Sequence, residues 1–388
     1  MSENVKAMIG KVFNDVADAI ETGSFGSKVR VAVTLLGSEH GVENVLKGAE
    51  MAQKRNPDKE IAVIGPEVET DLKVYKAEDE DEQHKVMEEL LSSKELDAVV
   101  TMHYNFPIGV STVGRVITPG IGKEMFIATT TGTSSASRIE AMIRNAVHGV
   151  VTAKAMGIEK PKVGILNVDG ARQVERALNQ MKEKGYDLEF AESMRADGGC
   201  VMRGNDLLAG TPDVMVMDSL TGNLMMKIFS SYTTGGSIEA MGYGYGPGVG
   251  DGFDNEILIV SRASGAPVIA NALGFAGDLA KGKLAEVSKA EFAKAKKAKM
   301  EDIFDSLKKD SAKSSSDDDE EVEMPEKEIV TGSVSGIDIM DLEDAVTALW
   351  KEGIYAESGM GCTGPIVMVN EEKVDKATEV LEKAGFLG

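Results

Sequence analysis

The sequence predicts an α/β protein, with a core of parallel βαβ units and a small C-terminal α/β module on a tether. Two observations carry this. From Lys28 to Lys281, apolar runs of strand length alternate with amphipathic stretches of helical period, the pattern of a parallel sheet with crossover helices. An acidic, serine-rich tract then breaks the pattern, which resumes over residues 329–388. The 388 residues carry 42 Lys and Arg against 64 Asp and Glu, a net charge of -22, which disfavours nucleic acid or an anionic membrane as partner. Two cysteines, Cys200 and Cys362, cannot build a disulfide framework, and no C-x-x-C or Cys/His cluster marks a metal site. No bound cofactor or metal is expected.

The first 27 residues read as an N-terminal helix, with Val5, Met8, Ile9, Val12, Phe13, Val16 and Ile20 at helical spacing. The segment has no apolar signal-peptide region, and no run in the chain is long enough to span a bilayer. A soluble cytoplasmic protein is the expectation.

The core, residues 28–305, opens with a buried strand over Lys28–Leu36, a turn over Gly37–Gly41 and a helix over Val42–Arg55. Ile61–Gly65, a helix around Gln83–Ser92 and the strand Ala98–Met102 repeat the unit. In open parallel sheets ligands bind beyond the carboxyl ends of the strands, which directs attention to Gly37, Ser38, His103, Thr129–Ser137, Asn167, Asp169 and Asp218. His103 reads as a base or thioester-facing donor, with a packed, hydrogen-bonded histidine as the somewhat favoured alternative. Thr129–Arg138, which includes Thr130, Gly132 and Ser134, follows the strand Phe126–Ala128 and enters a helix over Ile139–Met156. Such a hydroxyl-rich entry to a helix N-terminus can hold an anion, and ordinary N-capping explains part of it as well.

Lys162–Asp169 reads as a strand and Ala171–Lys184 as a helix; the strand Val214–Met217 then delivers Asp218 to its carboxyl end. A tight turn over Thr221, Gly222 and Asn223 follows, with Lys227 one helical turn beyond. An acid, an amide and a lysine gathered there could bind phosphate and polarise an acyl carbonyl; an N-cap Asp218 and a solvated Lys227 are the alternative. The glycine-rich Gly242–Gly252 is too irregular for a dinucleotide fingerprint and reads as a mobile loop over the cleft or a partner surface.

The run D-x-x-T-G-N-x-x-x-K from Asp218 to Lys227, preceded by N-D-L-L-x-G-x-x-D-V-x-V from Asn205 to Val216, resembles the signature of the PlsX-type phosphate acyltransferases and, more distantly, of phosphate acetyltransferases. The similarity spans roughly Lys28 to Lys281. It implies a two-lobed doubly wound core that transfers an acyl group between a thiol and inorganic phosphate as co-substrate. Asp218, Thr221, Gly222, Asn223 and Lys227 would then belong to the cleft between the lobes. The chain departs from those families at Met102–Pro107 and at Ala270–Phe275, where a small-residue A-G-N-T-G-A turn and a Ser-Arg pair would stand.

Residues 306–328, with Ser314–Glu321 at their centre, read as an acidic flexible linker, too polar and too highly charged to bury itself. The C-terminal module then predicts a strand over Glu328–Val334, a helix over Ile339–Glu352, a strand over Ile366–Val369 and a helix over Glu371–Ala384. Between them Gly359–Pro365 holds Cys362 in a glycine-rich loop at a strand's edge. A thiol there can be presented to a partner, or it can pack as a small hydrophobe. Cys200 is the rival thiol.

A tethered cysteine module fused to a phosphate acyltransferase core resembles the alpha subunits of component C in the glycine reductase complexes. That resemblance implies acetyl phosphate release from an acetyl thioester on Cys362, the acetyl group originating as a carboxymethyl group on a partner selenoprotein A. It also implies a ketoacyl synthase-like beta subunit as partner, hence a hetero-oligomer. A stand-alone acyl carrier protein:phosphate acyltransferase of phospholipid synthesis and a non-catalytic scaffold are the other readings.

Overall fold

The computed structural model describes residues 28–196, 198–314, 324–338, 341–361 and 364–387, together with Gly10, Val12, Phe13, Val16, Ala17 and Ile20, all six of which are helical. The rest of the expected N-terminal helix, and Cys362, lie outside the described residues. In chain order the core runs β1 (Val29–Thr34), α1 (Gly41–Arg55), β2 (Lys59–Gly65), β3 (Lys73–Lys76), α2 (Glu80–Ser92), β4 (Ala98–Thr101), β5 (Ser111–Ile117) and β6 (Glu124–Gly132). It continues with α3 (Arg138–Ala155), β7 (Lys162–Leu166), α4 (Ala171–Glu183), β8 (Glu189–Phe190), β9 (Val201–Met202), α5 (Gly204–Ala209), β10 (Val214–Val216) and α6 (Ser219–Ser231). Then come β11 (Gly246–Val249), β12 (Ile257–Ile259), α7 (Ala266–Lys281), α8 (Leu284–Lys297) and α9 (Met300–Ser314).

All these strands form one 12-stranded sheet, in the order β3-β2-β1-β4-β12-β11-β5-β6-β10-β7-β8, with β9 beside β7. Two parallel sets make the lobes, β3 to β12 and β6 to β8. Both faces are covered, as parallel strands require: Val31 and Val33 pack into one core cluster, Ala32 between them into the other. The doubly wound architecture is as expected from the alternation of strand and helix.

Between the lobes stands β11, antiparallel to β12 on one side and to β5 on the other. This corrects the expectation of a mobile loop over Gly242–Gly252, because Gly246–Val249 is buried throughout. The glycines serve close approach. A Cβ on Gly246, whose φ is +86°, would lie 1.8 Å from Val113 O, and one on Gly248 would lie 2.3 Å from the Phe106 ring.

Other boundaries also differ from the sequence reading. Thr129–Gly132 extends β6 rather than opening a loop, because it pairs with β5 as far as Ser111 opposite Gly132. After Gly282 the chain forms two helices, α8 and α9, separated where Lys299 takes φ +64°. The second of them runs on to Ser314, so the opening of the expected linker is helical.

The module contains β13 (Gly332–Ser335), α10 (Leu342–Lys351), β14 (Ala356–Gly361), β15 (Gly364–Val369) and α11 (Val374–Lys383). Its sheet is antiparallel, in the order β13-β15-β14, over a separate apolar core that includes Val346, Leu349, Val367 and Leu381. Gly359–Gly361 and Gly364–Pro365, expected in a loop, are paired strand residues. Asp341 reaches the core: its carboxylate accepts from Gln173 Nε2 at 3.2 Å and lies 3.6 Å from Arg176.

Gly246→Ala is expected to cost about 2 kcal/mol or more, since overpacking adds to the backbone strain of a left-handed residue. Gly235→Ala is the control: Gly235 has φ +64° with nothing within 4 Å of its Cβ, leaving only the conformational term of about 1 kcal/mol. Equal losses in urea unfolding would remove the close-contact role assigned to Gly246.

Candidate active site

Asp218, delivered by β10, is the N-cap of α6, and its carboxylate accepts from the Thr221 amide at 3.1 Å and the Thr221 hydroxyl at 2.7 Å. Because the cap forms at Asp218, Thr221, Gly222 and Asn223 are the helix's opening residues and not a separate tight turn. A Cβ on Gly222 would lie 1.7 Å from Thr129 O, so only glycine lets α6 rest on β6. Asn223 Nδ2 then donates to Thr130 O at 3.1 Å.

Lys227 is not gathered with Asp218. Nine residues at the helical rise separate them by ~13 Å along the axis. Its Nζ instead meets Glu239 Oε1 at 2.5 Å and donates to Ser261 Oγ at 3.1 Å. Glu239 is 1% exposed, whereas the Lys227 side chain is 48% exposed. The solvated-lysine alternative is therefore half right: the stem is open, and the charge is anchored to a buried acid.

Asp218 faces Arg138, the first residue of α3. Arg138 bridges two carboxylates, at 3.1 Å from Asp218 Oδ2 and 3.2 Å from Asp169 Oδ2. Burial pushes the Asp218 carboxyl up, but the two Thr221 bonds and the Arg138 charge outweigh it and hold the group below its ordinary value. Beside this cluster a cavity of about 240 Å³ is walled by Gly132, Thr133, Ser134, Arg138, Asn145 and Asp218, among others. A second, of about 340 Å³, is lined by Met102–Phe106, Thr131 and Ile259, and shares Gly132 and Thr133 with the first. They are two compartments of one cleft, with Arg138 at one end and Tyr104 and Phe106 at the other.

Of the residues singled out in the sequence, Asp218, Gly132, Ser134 and His103 line this cleft. His103 is exposed at the rim, and its carbonyl meets His84 Nε2 at 2.8 Å. Thr221, Gly222 and Asn223 support the cleft from behind. Thr130 turns inward: its buried hydroxyl donates to Tyr245 O at 2.7 Å and sits 2.6 Å from Thr112 Oγ1, so the expected anion contact is taken by protein partners. Asn167 and Lys227 line neither compartment. Cys362 lies outside the described residues.

Sequence reasoning passed over Arg138, Asn145, Ser111, His148 and Glu239. Arg138 was the most findable, as the cation that closes the hydroxyl-rich run Thr129–Arg138. Glu239 belongs to no motif. Among the described residues no group of three or more His, Cys, Asp or Glu is placed to hold a metal ion, and no helix is long and apolar enough to cross a membrane.

Cys200 is a structural thiol. It is buried, its Sγ donates to Glu175 Oε1 at 3.1 Å, and burial followed by the Glu175 charge pushes its pKa far above the thiol range. A thiol kept protonated is a poor nucleophile. In a Cys362→Ser chain, thiol reagents are expected to leave the native protein unlabelled and to titrate one cysteine after denaturation. Native labelling within minutes would restore Cys200 as a rival.

The family model described as fatty acid synthesis protein matches residues 29–368. The glycine/sarcosine/betaine reductase complex component C subunit alpha of Peptoclostridium acidaminophilum is 64% identical over 384 residues, covering 99% of both chains. A phosphate acyltransferase of Thermotoga petrophila is 26% identical over 234 residues, 52% of this chain and 67% of its own. Among solved structures, a branched-chain phosphotransacylase from Enterococcus faecalis aligns with TM-score 0.46 and 16% identity, over 65% of this chain and 99% of its own. The chain belongs to the fatty acid synthesis protein family and, within it, groups with the component C alpha subunits of the glycine/sarcosine/betaine reductase complexes.

Proposed function

We propose that the chain is the acyl-to-phosphate transferase subunit of a glycine reductase-type complex, releasing acetyl phosphate by phosphorolysis of an enzyme-bound acetyl thioester. The observation that carries this is the 64% identity to a component C alpha subunit along the whole chain, C-terminal module included. The similarity to a phosphate acyltransferase covers 52% of this chain, which favours the complex over a stand-alone enzyme of lipid synthesis.

In this reading phosphate occupies the cavity at the N-termini of α3 and α6. Arg138 and the positive ends of the two helix dipoles offset its charge. The acetyl group arrives as a thioester on Cys362, from the side of the His103 compartment. A phosphate oxygen attacks the acyl carbon, the C–S bond breaks, and the Cys362 thiolate leaves to take up a proton. Splitting the transfer through a thioester keeps the acyl group activated between its two acceptors. Asn223 fixes α6 against the strand behind the cavity. Lys227, paired with the buried Glu239, ties the middle of α6 to the segment that carries that acid.

The acetyl group itself originates as a carboxymethyl group on the selenium of a partner selenoprotein, and a ketoacyl synthase-like beta subunit shares the thiol chemistry. A protein partner is supported by α6, where Leu220, Leu224 and Ile228 form an exposed apolar stripe beside Asn223 and Lys227. Contiguous exposed apolar surface of this kind marks interaction sites.

Acetyl phosphate formation by the reconstituted complex is expected to vanish with Cys362→Ser. Arg138→Ala, which removes the cation lining the proposed phosphate cavity, should lower it about 100-fold, the scale of losing one preorganised electrostatic contact. Turnover stalled without phosphate should leave an acetyl adduct on Cys362 by mass spectrometry. An adduct found only on Cys200 or only on the partner removes Cys362 from the mechanism, and undiminished activity of Arg138→Ala favours a scaffold.

A further inference from the structure

Asp341 joins the module to the core, and no part of the transfer described above uses it. It is the N-cap residue of α10, yet its side chain makes no capping bond. Elsewhere in this chain an aspartate in that place does: Asp79 accepts from the Glu82 amide at 2.8 Å and Asp218 from the Thr221 amide at 3.1 Å. A cap aspartate stabilises a helix by taking up an orphan amide, so the carboxylate of Asp341 is spent elsewhere. It accepts from Gln173 Nε2 at 3.2 Å and lies 3.6 Å from Arg176, with its side chain 19% exposed. Burial, which the Arg176 charge only partly offsets, pushes the carboxyl above its ordinary value. An acid desolvated in this way regains water when the module lifts, so the contact holds the module without locking it.

Both sides of the contact lie toward the cleft. On the core, Gln173 and Arg176 stand three residues apart on one face of α4, while Val174, Ala177, Leu178 and Met181 bury the other. The helical rise puts Arg176 only ~8 Å along the axis from Ala171. Asp169, two residues before the helix, lies 3.2 Å from Arg138, which walls the phosphate cavity. On the module, α10 runs antiparallel along β14: Trp350 Nε1 donates to Ala356 O at 3.0 Å, and Ser358 Oγ to Glu343 Oε1 at 2.7 Å. The start of α10, where Asp341 stands, is therefore turned toward the end of β14 at which Gly361 pairs with Gly364. Cys362 and Thr363 are the two residues between that pair in the sequence. The module thus meets the core by the end that carries its cysteine, at the end of α4 that borders the cleft.

We infer that Asp341, held by Gln173 and Arg176, seats the cysteine-bearing module beside the cleft, so that the chain which carries the acetyl thioester also presents it to phosphate. The inference rests on the transfer proposed above and adds the surface by which the carrier finds its acceptor. The seat keeps the module at the flank of the cleft and does not hold Cys362 inside it. Because the two compartments adjoin at Gly132 and Thr133, the carrier enters from close by and not from bulk solvent. Confinement of this kind raises the effective concentration of a tethered group without any new contact to the reacting atoms. Asp341, Gln173 and Arg176 are positioning residues.

The test uses the full chain, in the reconstituted complex for activity and alone for distance measurement. Arg176→Glu is expected to lower acetyl phosphate formation about fivefold, the scale of one ion pair with a desolvated partner. Asp341→Arg should do the same, and the two substitutions together should recover most of the loss, since the Gln173 amide serves either charge. Replacing Asp341 takes no capping bond from α10. In the Cys362→Ser chain, spin labels on Asn179→Cys and Lys351→Cys should give one narrow distance distribution, which broadens with Arg176→Glu. A broad distribution with the native pair in place, or unchanged or faster turnover in Arg176→Glu, overturns the inference while leaving the transfer itself standing. A complex that forms no acetyl phosphate even with the unmodified chain removes the transfer, and the role of the seat with it, whatever the distances show. Should Asp341→Arg fail to fold, Arg176→Glu and the distance distribution still decide.

Discussion

The architecture depends on a backbone contact too close for any side chain, that of Gly246 against Val113 O in the seam between the lobes. The two parallel sets run in opposite senses, and three antiparallel pairs, β12–β11, β11–β5 and β5–β6, join them into one sheet. Glycine at 246 and 248 lets β11 lie flush against β5 while the loop carrying Phe106 crosses over it. That crossing brings Met102–Phe106 opposite the end of β6 and makes a cleft where either lobe alone would present an open strand edge. The second contact of the same kind, Gly222 on Thr129 O, sets α6 at the depth where Asp218 can face Arg138.

Much of this was legible in the sequence wherever burial and period agree. The strands Val29–Thr34, Lys59–Gly65 and Ala98–Thr101 are apolar runs between helices of clear 3.6 period, and they stand within a residue or two of where the pattern puts them. The Asp218 cap was legible too, because an acid at a strand end before a helical stretch has few other uses. The seam was not. Glycine for a turn and glycine for close approach are written with the same letter, and Gly242–Gly252 has both, with Gly235, Gly236, Gly242 and Gly244 in left-handed turns nearby and Gly246 and Gly248 in a buried strand.

The candidate site was half legible for a related reason. Motif spacing places residues along the chain, and geometry places them in space. Asp218 and Lys227 share a motif, yet a helix carries them apart, the one to Arg138 and Asp169, the other to Glu239 and Ser261. Hydroxyls are harder still. Thr130 and Ser134 stand in one run, and only the sheet pairing shows that Thr130 spends its hydroxyl on Tyr245 O while Ser134 reaches the cavity.

The cleft divides its work between an exchangeable group and a fixed one. Arg138 is 44% exposed and paired with two carboxylates, so the cluster is net negative before any ligand arrives. Pairs whose cation is this open to water contribute ~0–1 kcal/mol each, so under the proposed function an incoming phosphate would displace one at little cost. Attraction thus comes from a guanidinium that can turn and from two helix N-termini that cannot. The hydrogen-bonded Ser134–Ser111–His148 wall differs in kind: every member is buried, and breaking one bond strands a polar atom away from water, at about 1–3 kcal/mol. An arginine that exchanges partners holds any anion of suitable size.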